Sequence, residues 1–250
     1  MDYLYLYPAL ETDRAIESRD VLAYSKNADV QGFFTRHEIA GAMKDSGKKE
    51  DYLNIVHTSV SANKSDTYVA ETIKHDTYLK SNGGVTNELT ITRTHQWNAE
   101  TEKRIRDLVA SFGLPGIPPE NKDIIPILGG SKNIQMLRIY IPNGSKLEES
   151  SDPSVTVKFD KETGKTYFSA KIKVNPGEES SLRIRYSLPF KLNLDPVDKY
   201  YLYAQKQPGQ KNITITKRIL PPSGVMNYKY FPSTGSFDKD SVWSFSGAME

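Results

Sequence analysis

The residues able to do chemistry are few and scattered. The four histidines, His37, His57, His75 and His95, stand singly, and none has a second histidine four residues away to form a metal-binding helix face. Each reads as an ordinary surface or half-buried histidine. Gly164-Lys165-Thr166 has the text that ends a phosphate-binding loop. The fifth residue before Gly164 is Phe159, where that loop needs glycine, and the segment falls in an expected hairpin. It reads as a turn. Glu148-Glu149 and Glu178-Glu179 are adjacent pairs at expected turns, and neighbours in extended chain point to opposite faces, so neither doublet is an acid/base pair. No Gly-x-Ser-x-Gly elbow occurs, and cysteine is absent, which removes thiolate metal sites, cysteine nucleophiles and disulfides together. No residue is therefore assigned a catalytic, cofactor-binding or metal-binding role, and no cofactor is expected. A carboxylate pair assembled from distant positions stays open.

Tyrosine is the compositional excess, 15 of 250 residues. Tyr68, Tyr78, Tyr140, Tyr167, Tyr186, Tyr200, Tyr201 and Tyr203 all fall on expected strands. The rings suit a half-buried pleated surface; alternatively, some form an exposed platform for a sugar or a protein partner. Tyr200 and Tyr201 are consecutive, so one ring must lie on each face.

The elements that carry these residues are mostly strands. Val85, Asn87, Leu89 and Ile91 alternate with Thr86, Thr90 and Thr92 after the hairpin signal Asn82-Gly83-Gly84. Leu137, Ile139 and Ile141 form the next set, closed by Pro142-Asn143-Gly144. Val155, Val157 and Phe159 lead through a turn at 160–164 into Phe168, Ala170, Ile172 and Val174. Asn175-Pro176-Gly177-Glu178 then turns the chain into Leu182, Ile184, Tyr186 and Leu188. Further strands are expected at 200–205, 213–219, 227–231 and 242–245. Eight or nine short strands between Gly/Pro/Asn turns predict a mainly β chain, an antiparallel, immunoglobulin-like β-sandwich. Leu89, Ile91, Leu137, Ile139, Ile172, Val174, Ile184 and Tyr186 should point inward.

Two regions break the rhythm. Residues 1–64 read as a mixed α/β segment, the remnant of a larger upstream domain, ahead of a sandwich domain at 65–250. Asp29 is placed to cap a helix bearing Val30, Phe33 and Phe34, with Gly41 to end it. A shorter helix is expected at 18–24, and a strand at 52–60. Residues 98–133 read as an insertion, with Ile105, Leu108, Val109 and Phe112 at helical spacing ahead of a proline-rich run. It either covers an open end of the sheets or binds a partner. Gln205 and Gln207, flanking the turn at Pro208-Gly209, are expected to satisfy backbone groups where a strand stops.

Formal charge is only +2. Residues 1–65 carry 8 Lys+Arg against 10 Asp+Glu, and the remainder 25 against 21. Neither part has the basic stripe that phosphate neutralisation needs, so nucleic acid is not an expected partner. No apolar run is long enough to span a membrane, and Met1-Asp2-Tyr3-Leu4-Tyr5-Leu6-Tyr7-Pro8 is not a signal peptide.

Several strings together resemble one bacterial family. They are Asp51-Tyr52-Leu53, Asn63-Lys64-Ser65-Asp66, Trp97-Asn98, Leu137-Arg138-Ile139-Tyr140-Ile141-Pro142-Asn143-Gly144-Ser145, Tyr186-Ser187-Leu188-Pro189-Phe190 and Gln205-Lys206-Gln207-Pro208-Gly209. Their order and spacing are similar to the C-terminal portion of the domain-of-unknown-function family 4012, over residues 1 to about 235. The resemblance implies an extracytoplasmic, cell-envelope protein whose parent is anchored by an N-terminal membrane helix that this chain lacks. It brings no catalytic residue. The expectation is a non-enzymatic module with a structural or protein-interaction role. The alternative is a glycan-binding or accessory domain of a cell-wall polymer-processing protein whose active site lies outside this chain.

Overall fold

The structure, a computed structural model, describes residues 15–16, 18–112, 124–193, 198–223, 225–230 and 233–249. The start of the chain and the proline-rich run after Phe112 lie outside the described residues. Among the described residues, thirteen strands form two sheets. The first has the order β11-β13-β9-β1-β4-β7-β6 and the second β12-β10-β2-β3-β8-β5. In chain order the strands are β1 Asp51–Ser59, β2 Val69–Leu79, β3 Gly84–His95, β4 Asn133–Ile141, β5 Lys146–Ser150, β6 Thr156–Asp160 and β7 Lys165–Val174. Then follow β8 Glu179–Lys191, β9 Asp198–Gln205, β10 Ile213–Leu220, β11 Val225–Tyr230, β12 Ser233–Ser236 and β13 Ser241–Met249.

The period-two alternation sets which side chains meet between the sheets. Leu89, Ile91, Leu137, Ile139, Ile172, Val174, Ile184 and Tyr186 are all buried, as expected from their spacing. All of these but Val174 belong, with Leu53, Ile55, Ile73 and Phe168, to a single core. The tight turns hold their predicted places. Gly83 joins β2 to β3 at φ +78°, and a Cβ there would stand 2.0 Å from the carbonyl oxygen of Leu192. Glycine is needed both for the backbone angle and for that close approach.

Pairing direction departs from the all-antiparallel expectation. Each sheet holds one parallel pair: β1 with β9, where Tyr52 meets Tyr203, and β2 with β10, where Ile73 meets Ile215. Alternation reports which face a residue occupies and is silent on strand direction, so parallel pairs with distant partners were not legible in it. β1 lies ahead of the boundary expected at 64 and sits inside the first sheet, between β9 and β4. Strands β5 and β12 were not expected; both are short and lie at sheet edges. In β6, Val157 and Phe159 are on the predicted strand but exposed, because it too is an edge strand.

Helix α1, Ala28–Arg36, is capped by Asn27, whose side chain accepts from the backbone N–H groups of Asp29 and Val30. Asp29 lies in the first turn instead of at the cap. Residues 20–24 form no helix: Arg19 takes φ 58°, which ends a turn, and Ala23 N–H then donates to the Ile39 carbonyl. Helix α2, Ala99–Ser111, is capped by Asn98. Its apolar residues were expected to face the sandwich or a partner; Leu108 and Phe112 are exposed, and no residue of the helix is buried. The later part of the insertion does pack. Ile125 is buried, and Gly129 and Gly130 lie so close to Tyr68 and Trp97 that a Cβ on either would collide.

Candidate functional site

Two arrangements gather functional side chains: an open groove on the outer face of the first sheet, and a sealed polar seam between the sheets. The groove is made by residues 39–46, which cross over β9 as an extended strap. Gln205 fastens the strap. Its Nε2 donates to the Ala42 carbonyl at 2.9 Å, while its Oε1 accepts from Lys44 N–H at 3.0 Å and from the Tyr52 hydroxyl at 2.5 Å. Gln207 does the same work for β1, its amide bridging the N–H and carbonyl of His57 at 2.6 and 3.1 Å. Both glutamines therefore serve the backbone, as their position beside the turn predicts; Gly209 there takes φ +73°.

Under the strap lies a cleft of about 340 Å³ bordered by Arg19, Glu38, Lys44, Tyr203 and Gln205. Lys44, Asp45 and Tyr203 also border a second recess of about 110 Å³ that reaches Tyr201 and Val242. Lys44 Nζ sits 4.1 Å from the centre of the Tyr203 ring, a cation–π distance. The Tyr203 hydroxyl donates to Asp240 at 2.6 Å, and Arg19 pairs with the same carboxylate at 2.8 Å. Burial and the Asp240 charge push the Tyr203 phenol well above its ordinary range, so it remains a donor. Tyr200 is fully buried and Tyr201 is 44% exposed, the split expected of consecutive strand residues. The groove presents aromatic faces with charges of both signs at its rim.

The seam lies between the inner faces. At one end Asp51, Thr77, Asn87, Tyr200 and Lys217 are buried together with His75 and Tyr186. Asn87 Nδ2 donates to Asp51 at 2.8 Å, the Tyr200 hydroxyl lies 2.5 Å from the same oxygen, and Lys217 Nζ donates to His75 Nδ1 at 2.8 Å. Loss of water raises the carboxyl of Asp51 and holds His75 well below the usual imidazole range. At the other end Glu71 accepts from His57 Nε2 and from Arg93 Nη1, each at 2.8 Å. Burial alone would raise Glu71, but the His57 and Arg93 charges and hydrogen bonds outweigh it and lower its pKa.

Three of the four histidines thus differ from the surface or half-buried expectation. His57, His75 and His95 are buried, while His37 is exposed. Their partners come from other strands, which single-residue spacing does not reveal. The remaining motifs are structural. Gly164-Lys165-Thr166 opens β7 in the β6–β7 hairpin. Glu148 and Glu149 pair with Arg185 and Arg183, and Glu178 and Glu179 accept from Asn175 and Thr94. Among the described residues no three acidic or histidine side chains converge as metal ligands, and no helix is long and apolar enough to cross a membrane.

The seam carries acids and bases in contact, but its members have almost no exposed surface. The groove is open to solvent. No protein-family model matches the chain, and no curated protein matches it. Among solved structures it is similar to a candidate nutrient binding protein of Legionella pneumophila, at 9% identity and TM-score 0.41, covering 79% of this chain and 71% of that one. It is also similar to an M1 zinc metallopeptidase of Deinococcus radiodurans, at 9% identity and TM-score 0.29, over 72% of this chain and 42% of that one. Likeness this distant carries neither fold nor function across.

Proposed function

We propose that this chain is a non-enzymatic binding module held outside the cytoplasm, as the family resemblance implies, and that its ligand is a glycan segment of the cell envelope. The observation that carries this reading is the groove under the 39–46 strap. Its aromatic floor suits the apolar face of a sugar ring, and Lys44 and Glu38 stand beside it to meet hydroxyl groups. Tyr201 is the ring a ligand reaches most directly. Titration of the protein with soluble hexose and N-acetylhexosamine oligomers, followed by amide NMR, should shift residues 42–46 and 201–203 first. Tyr201→Ala should weaken the response about tenfold with the fold intact. Shifts confined to other surfaces, or an unchanged response in Tyr201→Ala, would remove the groove from consideration.

A second reading, a protein partner, is favoured by α2. Leu108 and Phe112 are 49% and 66% exposed on one side of a helix of which no residue is buried among the described residues. Leu108→Ser together with Phe112→Ser should leave glycan titrations untouched while abolishing any complex made through that face.

A further inference from the structure

The seam around Lys217 closes on itself. Thr77 Oγ1 donates to Asn87 Oδ1 at 2.6 Å, Asn87 Nδ2 donates to Asp51 Oδ2 at 2.8 Å, Tyr200 Oη reaches that oxygen at 2.5 Å and returns to Thr77 Oγ1 at 3.1 Å. Lys217 Nζ donates to Thr77 Oγ1 and to His75 Nδ1, and His75 Nε2 meets the Tyr186 hydroxyl at 3.0 Å. Six strands contribute, two from the first sheet and four from the second, so these contacts fasten one sheet to the other.

Counting hydrogens decides the charge of this ring. If Asp51 is a carboxylate, the Tyr200 hydrogen goes to Asp51 and the Thr77 hydrogen goes to Asn87. No hydrogen is then left for the 3.1 Å Thr77–Tyr200 contact, and each of the two oxygens depends on Lys217, whose Nζ lies only at the longer distance of 3.5 Å from Tyr200 Oη. If Asp51 carries a proton, it donates to Tyr200 Oη, Tyr200 donates to Thr77, Thr77 donates to Asn87 and Asn87 donates to Asp51. All four contacts are filled in one direction around the ring. Thr77 still accepts from Lys217, and a neutral amine has a hydrogen for each of its two short contacts, Thr77 and His75, giving up the long one to Tyr200 at 3.5 Å.

We propose that Asp51 and Lys217 are both uncharged in the folded protein near neutral pH, folding having moved one proton from the amine to the carboxyl. The proton balance closes, since the unfolded chain carries that proton as the ammonium of Lys217. The groups facing Lys217 agree. From β1 comes Asp51, from β9 Tyr200, from β8 Tyr186, and from β2 His75. Asp76 also lies on β2, where it pairs with Arg218. Burial pushes Lys217 down to about 7 against the opposing pull of Asp51 and Asp76, and burial raises Asp51, Tyr186 and Tyr200.

The consequence is a pH dependence of unusual shape. Folded Asp51 binds a proton that the unfolded chain releases above pH 3.8, so this carboxyl makes stability fall as pH rises from there. Unfolded Lys217 holds a proton up to pH 10.5 that the folded amine gives up near 7, so the lysine makes stability rise with pH across that window. Together they place a trough around neutral pH, and an ion pair in the same place would give none. The test uses the intact protein. Side-chain NMR of wild type labelled with 13C at aspartate and lysine should show, at pH 7.5, one carboxyl with the shift of the acid and one lysine with that of the amine. That lysine should titrate near 7 instead of near 10.5. The two signals should vanish in Asp51→Asn and Lys217→Met respectively, and the double variant should lose the neutral trough in a urea-unfolding series. If either variant fails to fold, the wild-type titration alone decides. Every aspartate ionised and every lysine charged at pH 7.5 would overturn the proposal.

Discussion

The two ends of the seam solve the same problem in opposite ways. Around Glu71, charge is kept and answered by charge: His57 and Arg93 approach from either side, and Asp66, Asn133 and Gln135 hold the outer nitrogens of Arg93 and each other. Around Lys217, we propose that charge is removed. Between them lie apolar residues on the same strands, Leu53 and Ile55 on β1, Ile73 on β2, and Leu89 and Ile91 on β3. The difference teaches that a buried carboxylate survives in this core where a guanidinium can reach it. A guanidinium cannot be neutralised, whereas an amine can give its proton away.

The sharpest way to break the comparison is Glu71→Gln. It takes from Arg93 its buried carboxylate, leaving only the exposed Asp66 beside Nη2, and urea unfolding at pH 7 should show a loss of about 3–5 kcal/mol. Wild type should likewise lose the Glu71 contribution on acidification. The folded pKa is depressed below 4.5, so that stability is present above 4.5 and disappears as pH falls through the folded value. Lys217→Met with Asp51→Asn should go the other way at pH 7, neutral or stabilising by up to roughly 4 kcal/mol, because no charge is left without a partner.

A smaller effect, about 1–3 kcal/mol, is expected from Gln207→Ala, which frees the buried backbone of His57 beside the Glu71 cluster. Gln205→Ala should cost a similar amount and also release the strap, so hydrogen exchange at Lys44 should quicken. Smallest of all is Phe112→Ser on α2, expected within about 0.5 kcal/mol of wild type in thermal unfolding. A large loss there would mean that the helix packs after all.

Much of the sandwich was legible because alternation is a local property. The inward stripe of β3 or β7 can be read without knowing its neighbour. The seam was legible too, in a pattern that single-residue scanning passes over. Asp51-x-Leu53-x-Ile55-x-His57 and Asn87-x-Leu89-x-Ile91-x-Arg93 each run polar, apolar, apolar, polar on one face, and Glu71-x-Ile73-x-His75 begins the same way. Such stripes place polar groups at matched depths between sheets. What they meet depends on pairing, and Lys217 joins Asp51 only because β10 runs beside β2 and β1 lies across from both. The strap was not legible, since residues 39–46 have no periodicity and their place is fixed by one distant glutamine.

The two parallel pairs govern the order in which the molecule can assemble. Hairpins such as β2–β3 and β6–β7 join residues close in the chain and can form early. β1 and β2 must wait for β9 and β10, whose residues lie more than a hundred positions later. Until then each half-built sheet presents an unpaired edge of an interior strand, the kind of edge that recruits other chains. Folding should therefore be slow for a chain of 250 residues. Its aggregation on refolding should track the delay before residues 198–220 dock, and should be suppressed by whatever speeds that docking.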